Sequence, residues 1–164
     1  ECILYNSFAK TYLGHGTDKG LAAGLLGYSV DDDRIRTALS DVSSAGFTLK
    51  FTPNFKPNHY PPNTVVFGMR LTTGETVHVT GHSIGGGRVY ISKFNDYAVS
   101  LKGETPTLIL FYKDQPGMIW QVTKILADRC INIASLMCSR QQRGAEAFMS
   151  IQLDSPLTPD IVKE

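Results

Sequence analysis

Residues 106–153 read PTLILFYKDQPGMIWQVTKILADRCINIASLMCSRQQRGAEAFMSIQL, and their pattern decides the fold of the second half of the chain. PTLILFYK is an apolar run of strand length and predicts a buried strand, with DQPG after it as a turn. MIWQVTKILADRC predicts an amphipathic helix, with Ile119, Val122 and Leu126 on one face. INIASLMCS and AEAFMSIQL read as strands joined by the polar turn RQQRG. PLTPDIVKE then opens a second helix, with Pro159 near its first turn.

The order strand, helix, strand, strand, helix is one strand short of a split βαβ unit of the ferredoxin-like kind. Its start, near Gly103-Glu104-Thr105-Pro106, puts a domain boundary at about residue 104. Upstream, Leu21, Leu25 and Tyr28 recur at helical spacing after Asp18, and Gly27 stops the helix. Its Ala and Gly content predicts close packing. Asp31-Asp32-Asp33 starts another helix, with Ile35, Leu39 and Val42 as its apolar face and Gly46 at its end. Phe47, Leu49 and Phe51 alternate as a strand, and the prolines of PNFKPNHYPPN (53–63) then forbid a regular ladder. Val65, Phe67, Met69 and Leu71, a Thr-Thr-Gly turn, and Val77 and Val79 make a hairpin. VYI and AVSL, around Phe94-Asn95-Asp96, make a second hairpin, with SIGGG (83–87) between the two. The expectation is an α+β chain of two domains, 1–104 and 105–164.

Composition narrows the function classes. Of 164 residues, 42% are hydrophobic and 19% charged, which is ordinary for a chain that buries a core. No apolar run reaches the roughly 18 residues of a membrane span. The net charge is +1, and the basic residues are scattered among acids, so the footprint of a nucleic-acid binder is absent. Cys2, Cys130 and Cys138 form neither a CxxC pair nor an even disulfide framework. That suits a reducing, cytoplasmic location and argues against a metal cluster held by this chain alone. The chain opens at Glu1 directly on the strand-like CILYNSF, without a charged n-region or a cleavage site. No signal peptide is expected, and the sequence reads as a fragment of something longer.

Three stretches hold candidate chemistry. In GHGTD (14–18), glycines flank His15, and Thr17 or Asp18 can cap the following helix. Free N–H groups at that helix start attract an anion, and the imidazole beside them can move a proton near neutral pH. The competing reading is a capped helix with a solvent-facing histidine. In SIGGG, Ser83 and Gly85, Gly86 and Gly87 can form a hydroxyl-bearing anion nest or a plain hairpin connection. PPNT (61–64) offers Asn63 and Thr64 at a strand start. DQPG places Asp114 at a strand end and Gly117 at a helix start, with Asn132 expected near that turn; an ordinary turn explains the same residues.

Together, YNSFAKTYLGHGTDKGLAAGLLG, PPNTV, GHSIGGG and the tail from GETPTLIL to LMCSR resemble the beta subunit of the bacterial iron-sulfur-dependent L-serine dehydratases over nearly the whole chain. The resemblance implies an N-terminal α/β serine dehydratase beta domain, akin to the allosteric substrate-binding domain of some D-3-phosphoglycerate dehydrogenases. An ACT domain follows, a ferredoxin-like βαββαβ module lacking its last strand here. The family converts L-serine to pyruvate and ammonia. A 4Fe-4S cluster held by the alpha subunit acts as Lewis acid on the serine hydroxyl, while protein groups take the alpha proton.

By the same resemblance, His15 transfers a proton or orients the carboxylate, and Asp18 holds its tautomer or caps the helix. Gly16, Thr17, Asn63, Thr64, Ser83, Gly85, Gly86 and Gly87 bind substrate or an anion; no residue ligates metal. Tyr112, Asp114, Pro116 and Gly117 with Asn132 form the effector site, shared by a homodimer of ACT domains. Partners are then the alpha subunit and L-serine, with neither nucleic acid nor membrane involved, and this fragment alone is expected to be inactive. The family's amino-terminal Ser-Ser-His-Thr segment is missing. Pro61 stands where a histidine often precedes Pro-Asn-Thr, with His59 nearby, and Tyr112 and Asp114 replace the His and Asn of serine-sensing ACT domains, so the effector stays open. The alternative is a non-catalytic amino-acid-sensing module, like the tail of a D-3-phosphoglycerate dehydrogenase.

Overall fold

The computed structural model describes residues 1–163, and the chain groups into two compact units, Glu1–Asn95 and Asp96–Glu164. In the first unit, strand β1 (Cys2–Asn6) leads into helices α1 (Ser7–Thr11) and α2 (Thr17–Leu25). A 3-10 turn (Asp33–Arg36), helix α3 (Ala38–Ser44) and strands β2 (Phe51–Asn54), β3 (Asn63–Arg70), β4 (Thr76–Gly85) and β5 (Arg88–Phe94) follow. The strands lie in the order β2-β1-β3-β4-β5, with β1 parallel to β2 and the other pairs antiparallel. Cys2, Leu4, Ala9 and Val65 form the core under α1; Ala22, Ala23, Ala38 and Val42 form a second one between α2 and α3.

Several local expectations change. The helix at Asp31–Asp33 breaks in two because the Asp32 carboxylate accepts the Arg34 amide at 2.9 Å and grips its guanidinium, tightening the first turn. Ala38 takes the buried place expected of Leu39, which is exposed. Close packing of α2 comes from its alanines, since a Cβ on Gly20 or Gly24 would meet nothing within 4 Å. The strand expected at Phe47 begins only at Phe51 and runs through Pro53, which β2 tolerates as an edge strand. SIGGG does not separate two hairpins: Ser83 and Gly85 belong to β4, and Gly86-Gly87 turn it into β5, with φ of 60° and 73° as a two-residue hairpin loop requires.

The second unit holds β6 (Tyr97–Leu101), β7 (Thr107–Lys113), α4 (Met118–Asp128), β8 (Ile133–Arg140), β9 (Glu146–Leu153) and a final 3-10 turn (Ile161–Lys163) where a helix was expected. The antiparallel order β7-β9-β8 puts the third strand between the two that α4 connects, which is the split βαβ arrangement. Leu108, Leu110, Leu136, Met149 and Ile151 pack under Val122 and Leu126 of α4. Ile119 instead lies exposed, and β7, an edge strand, is half-buried rather than buried. On the other sheet face Tyr97 stacks on Phe148 at 5.1 Å.

Candidate functional site

The GHGTD turn is built by backbone. His15 N–H donates to the Thr11 carbonyl, and Thr17 N–H to that of Tyr12, closing α1 onto α2. Gly16, not Thr17 or Asp18, is the N-cap; its φ of 67° is left-handed, which is why glycine stands there. His15 is exposed, and its ring makes no hydrogen bond among the described residues. Asp18 is 5% exposed, and its Oδ1 is buried without a hydrogen-bond partner. A buried carboxylate oxygen without a donor costs stability, so it marks a place where a donor from outside this unit is favourable.

A second polar group, of which the sequence reading named only Thr64, gathers at the far end of β1 around His82, which is 4% exposed. Thr64 faces His82 across the β3–β4 ladder, with Thr64 Oγ1 at 2.7 Å from Nδ1. Thr64 has one hydroxyl proton and donates it to the Pro61 carbonyl at 2.9 Å. It therefore accepts from His82, which fixes the Nδ1–H tautomer. Burial lowers the imidazole's pKa from its usual 6.5, favouring the neutral ring, and Nε2 accepts the Ser92 hydroxyl at 2.5 Å. The ring also packs on Tyr90 at 4.6 Å. The Pro61 carbonyl continues the network: Asn6 Nδ2 reaches it at 3.2 Å and the Tyr60 carbonyl at 2.7 Å, while Asn6 and Asn58 exchange side-chain bonds of 3.1 Å. Asn6 holds a left-handed φ of 52° to do so. Strand alternation turns Asn63 and Ser83 to the face opposite Thr64 and His82. His59 is exposed. Gly85, Gly86 and Gly87 are accounted for by the hairpin turn.

In the second unit, Asp114 Oδ2 accepts Arg140 Nη1 at 2.6 Å and the Gly144 amide at 3.0 Å. The Gly144 amide and then Arg140 hold its pKa below the usual carboxylate range. Tyr112, Asp114, Pro116 and Gly117 line one groove of about 370 Å³ with Trp120, and Gly117 is the N-cap of α4 with φ 91°. Burial, reinforced by the neighbouring Cys138, has pushed the Tyr112 phenol up to about 12. Asn132 does not join this groove. Its side chain donates to Asp154 at 2.7 Å at the start of β8, whose far end carries Arg140 beside Asp114, roughly 26 Å away at strand rise. The pairing of β7 and β8 as parallel outer strands puts the two at opposite sheet ends.

The ACT domain family model matches residues 107–164. The L-serine dehydratase beta chain of Peptoniphilus asaccharolyticus is 37% identical over 161 residues, covering 98% of this chain and 72% of that protein. The probable L-serine dehydratase beta chain of Bacillus subtilis (strain 168) is 35% identical over the same shares. The chain belongs to the L-serine dehydratase beta chain family. The D-3-phosphoglycerate dehydrogenase of Bacillus subtilis (strain 168) is 38% identical over only 82 residues, 46% of this chain and 16% of that protein. A similarity to dehydratase beta chains that spans both units favours that reading over a dehydrogenase-like tail.

Within this beta chain, sequence reasoning missed His82, although GHSIGGG contains it, because nothing local distinguishes a ring held at both nitrogens from a free one. It also missed Arg140 and Arg143, which read as part of a polar turn. No helix is long and apolar enough to cross a membrane among the described residues.

Proposed function

We propose that the chain is the beta component of an L-serine dehydratase that converts L-serine to pyruvate and ammonia together with an alpha subunit in the cytoplasm. The observation that carries its part in the chemistry is the pairing, within one turn, of an exposed imidazole at His15 with a buried, unpartnered Asp18 oxygen. His15 is free to meet a substrate and move a proton; Asp18 awaits a donor, supplied by the alpha subunit or the substrate's ammonium group. Gly16 and Thr17 present the α2 amides beside them, and Asn63, Ser83 and the Gly85–Gly87 turn add polar side-chain and backbone donors to the substrate-facing surface. Thr64, fully buried with its hydroxyl proton on the Pro61 carbonyl, has no donor to offer a substrate and instead supports His82.

We assign the 4Fe-4S cluster to the alpha subunit. Among the described residues no group of three or more His, Cys, Asp or Glu side chains is arranged to hold a metal ion. Cys2 is buried, its thiol pushed up to about 11 by burial, while Cys130 and Cys138 are exposed. The ACT domain serves regulation, with an amino-acid effector in the groove at Tyr112, Asp114, Pro116 and Gly117. Because Asn132 lies at the other sheet end, its part in that site requires a second copy, and we propose a homodimer through the ACT domain.

The test is anaerobic mixing of this polypeptide with the alpha partner, followed by pyruvate formation from L-serine. Activity in the mixture and none in either component is the expected result. An alpha partner fully active by itself would refute the assignment.

A further inference from the structure

Beside the effector groove lies a second cleft of about 430 Å³, lined by Asp114, Gln115, Pro116, Arg140, Arg143 and Gly144. Its walls are the turn after β7 and the β8–β9 turn, which the sequence presents only as the polar linker RQQRG. Three bonds tie the two turns together: Arg140 and the Gly144 amide to the Asp114 carboxylate, and the Asp114 amide to the Ala145 carbonyl at 2.8 Å. The carboxylate side chain is 19% exposed, whereas that of Arg140 is 54% exposed. Asp114 is thus absorbed into the wall and orients a guanidinium that still faces water. Arg140 uses Nη1 on Asp114 and keeps further N–H donors. Arg143 makes no hydrogen bond or ion pair among the described residues and acts on Asp114 only through its field. Two guanidinium groups against one carboxylate leave the cleft with a charge of +1.

We infer that this cleft is an anion-binding subsite, in which Arg140 and Arg143 hold a small carboxylate or phosphate against the β8–β9 turn. The planar fork of a guanidinium matches two oxygens of either group, and a wall already tied in place lowers the ordering cost of binding. The volume suits a small metabolite rather than a polymer. The inference does not rest on the proposed function, since it needs neither an alpha subunit nor L-serine.

The test is amide NMR of the full chain titrated with inorganic phosphate in one arm and succinate in another, at constant ionic strength in chloride. Saturable shifts at Gly144 and Arg143 in either arm are expected, and the stronger arm names the anion. Arg143→Ala should weaken the apparent affinity about tenfold or more, with Arg143→Lys between it and the parent because it keeps the charge and loses the fork. Since Arg143 ties nothing in the fold, its variants separate lost binding from lost structure. An unchanged spectrum for Arg143→Ala outside the turn, with affinity equal to the parent, would overturn the inference, as would shifts that never saturate in both arms.

Discussion

His15 and His82 both follow a glycine, and the chain treats them in opposite ways. His15 sits on a turn closed by backbone bonds alone, so its ring is exposed and unbound. His82 sits inside a sheet, where a cross-strand threonine and a serine on the next strand take both ring nitrogens. The first is available for chemistry with a partner; the second is a structural strut that ties β3, β4, β5 and the proline-rich loop together. The difference lies in what surrounds each ring, since the residue type is the same.

The largest expected effect separates the two by activity. In the assembled enzyme, His15→Ala should lower kcat about 100-fold or more, the usual worth of a general acid or base, while its urea midpoint stays that of the parent. Equal kcat for parent and variant in the pyruvate assay would remove His15 from the chemistry. Next, His82→Ala should destabilise the chain by about 2–4 kcal/mol in urea unfolding, because it opens a cavity and takes away the acceptor of the Ser92 hydroxyl. His82→Gln, which can replace part of the pairing, should lose less.

A smaller effect sharpens the same contrast through pH. His82 has a lowered pKa in the folded state, so the unfolded chain binds its proton first as pH falls. Its contribution is therefore complete above the unfolded value near 6.5 and is lost as pH drops below it toward the folded value, where the decline levels off. Urea midpoints measured across that window should fall for the parent and less for His82→Gln. Smallest of all, Gly20→Ala and Gly24→Ala should each stabilise by about 0.5–1 kcal/mol, since neither helical glycine faces a neighbour within 4 Å. A destabilised alanine variant in thermal melts would overturn this reading of the two glycines.

Legibility followed the range of the interactions. The α4 helix and strands β7, β8 and β9 were readable because apolar period is local, and each element needs only one face covered. Ile119 escaped because helical spacing alone does not say where the covered stripe ends. The broken helix at Asp32 turned on one side chain bonding its own backbone two residues on, a local competitor that the acid run concealed. In the candidate site, GHGTD was found from its composition, while the identity of its cap was not, since only the left-handed φ of Gly16 decides it.

The sequence alone determined the α+β class, the order of elements in the ACT domain and the dehydratase beta chain family, because short-range periodicity and ordered motifs carry that information. Only the tertiary structure decided that His82 is buried between Thr64 and Ser92, that Asn132 stands at the opposite sheet end from Asp114, and that Arg140 and Arg143 edge a cleft. These follow from strand register and order, which bring together side chains 18 or 26 residues apart, and no local pattern encodes which partner a polar group will meet.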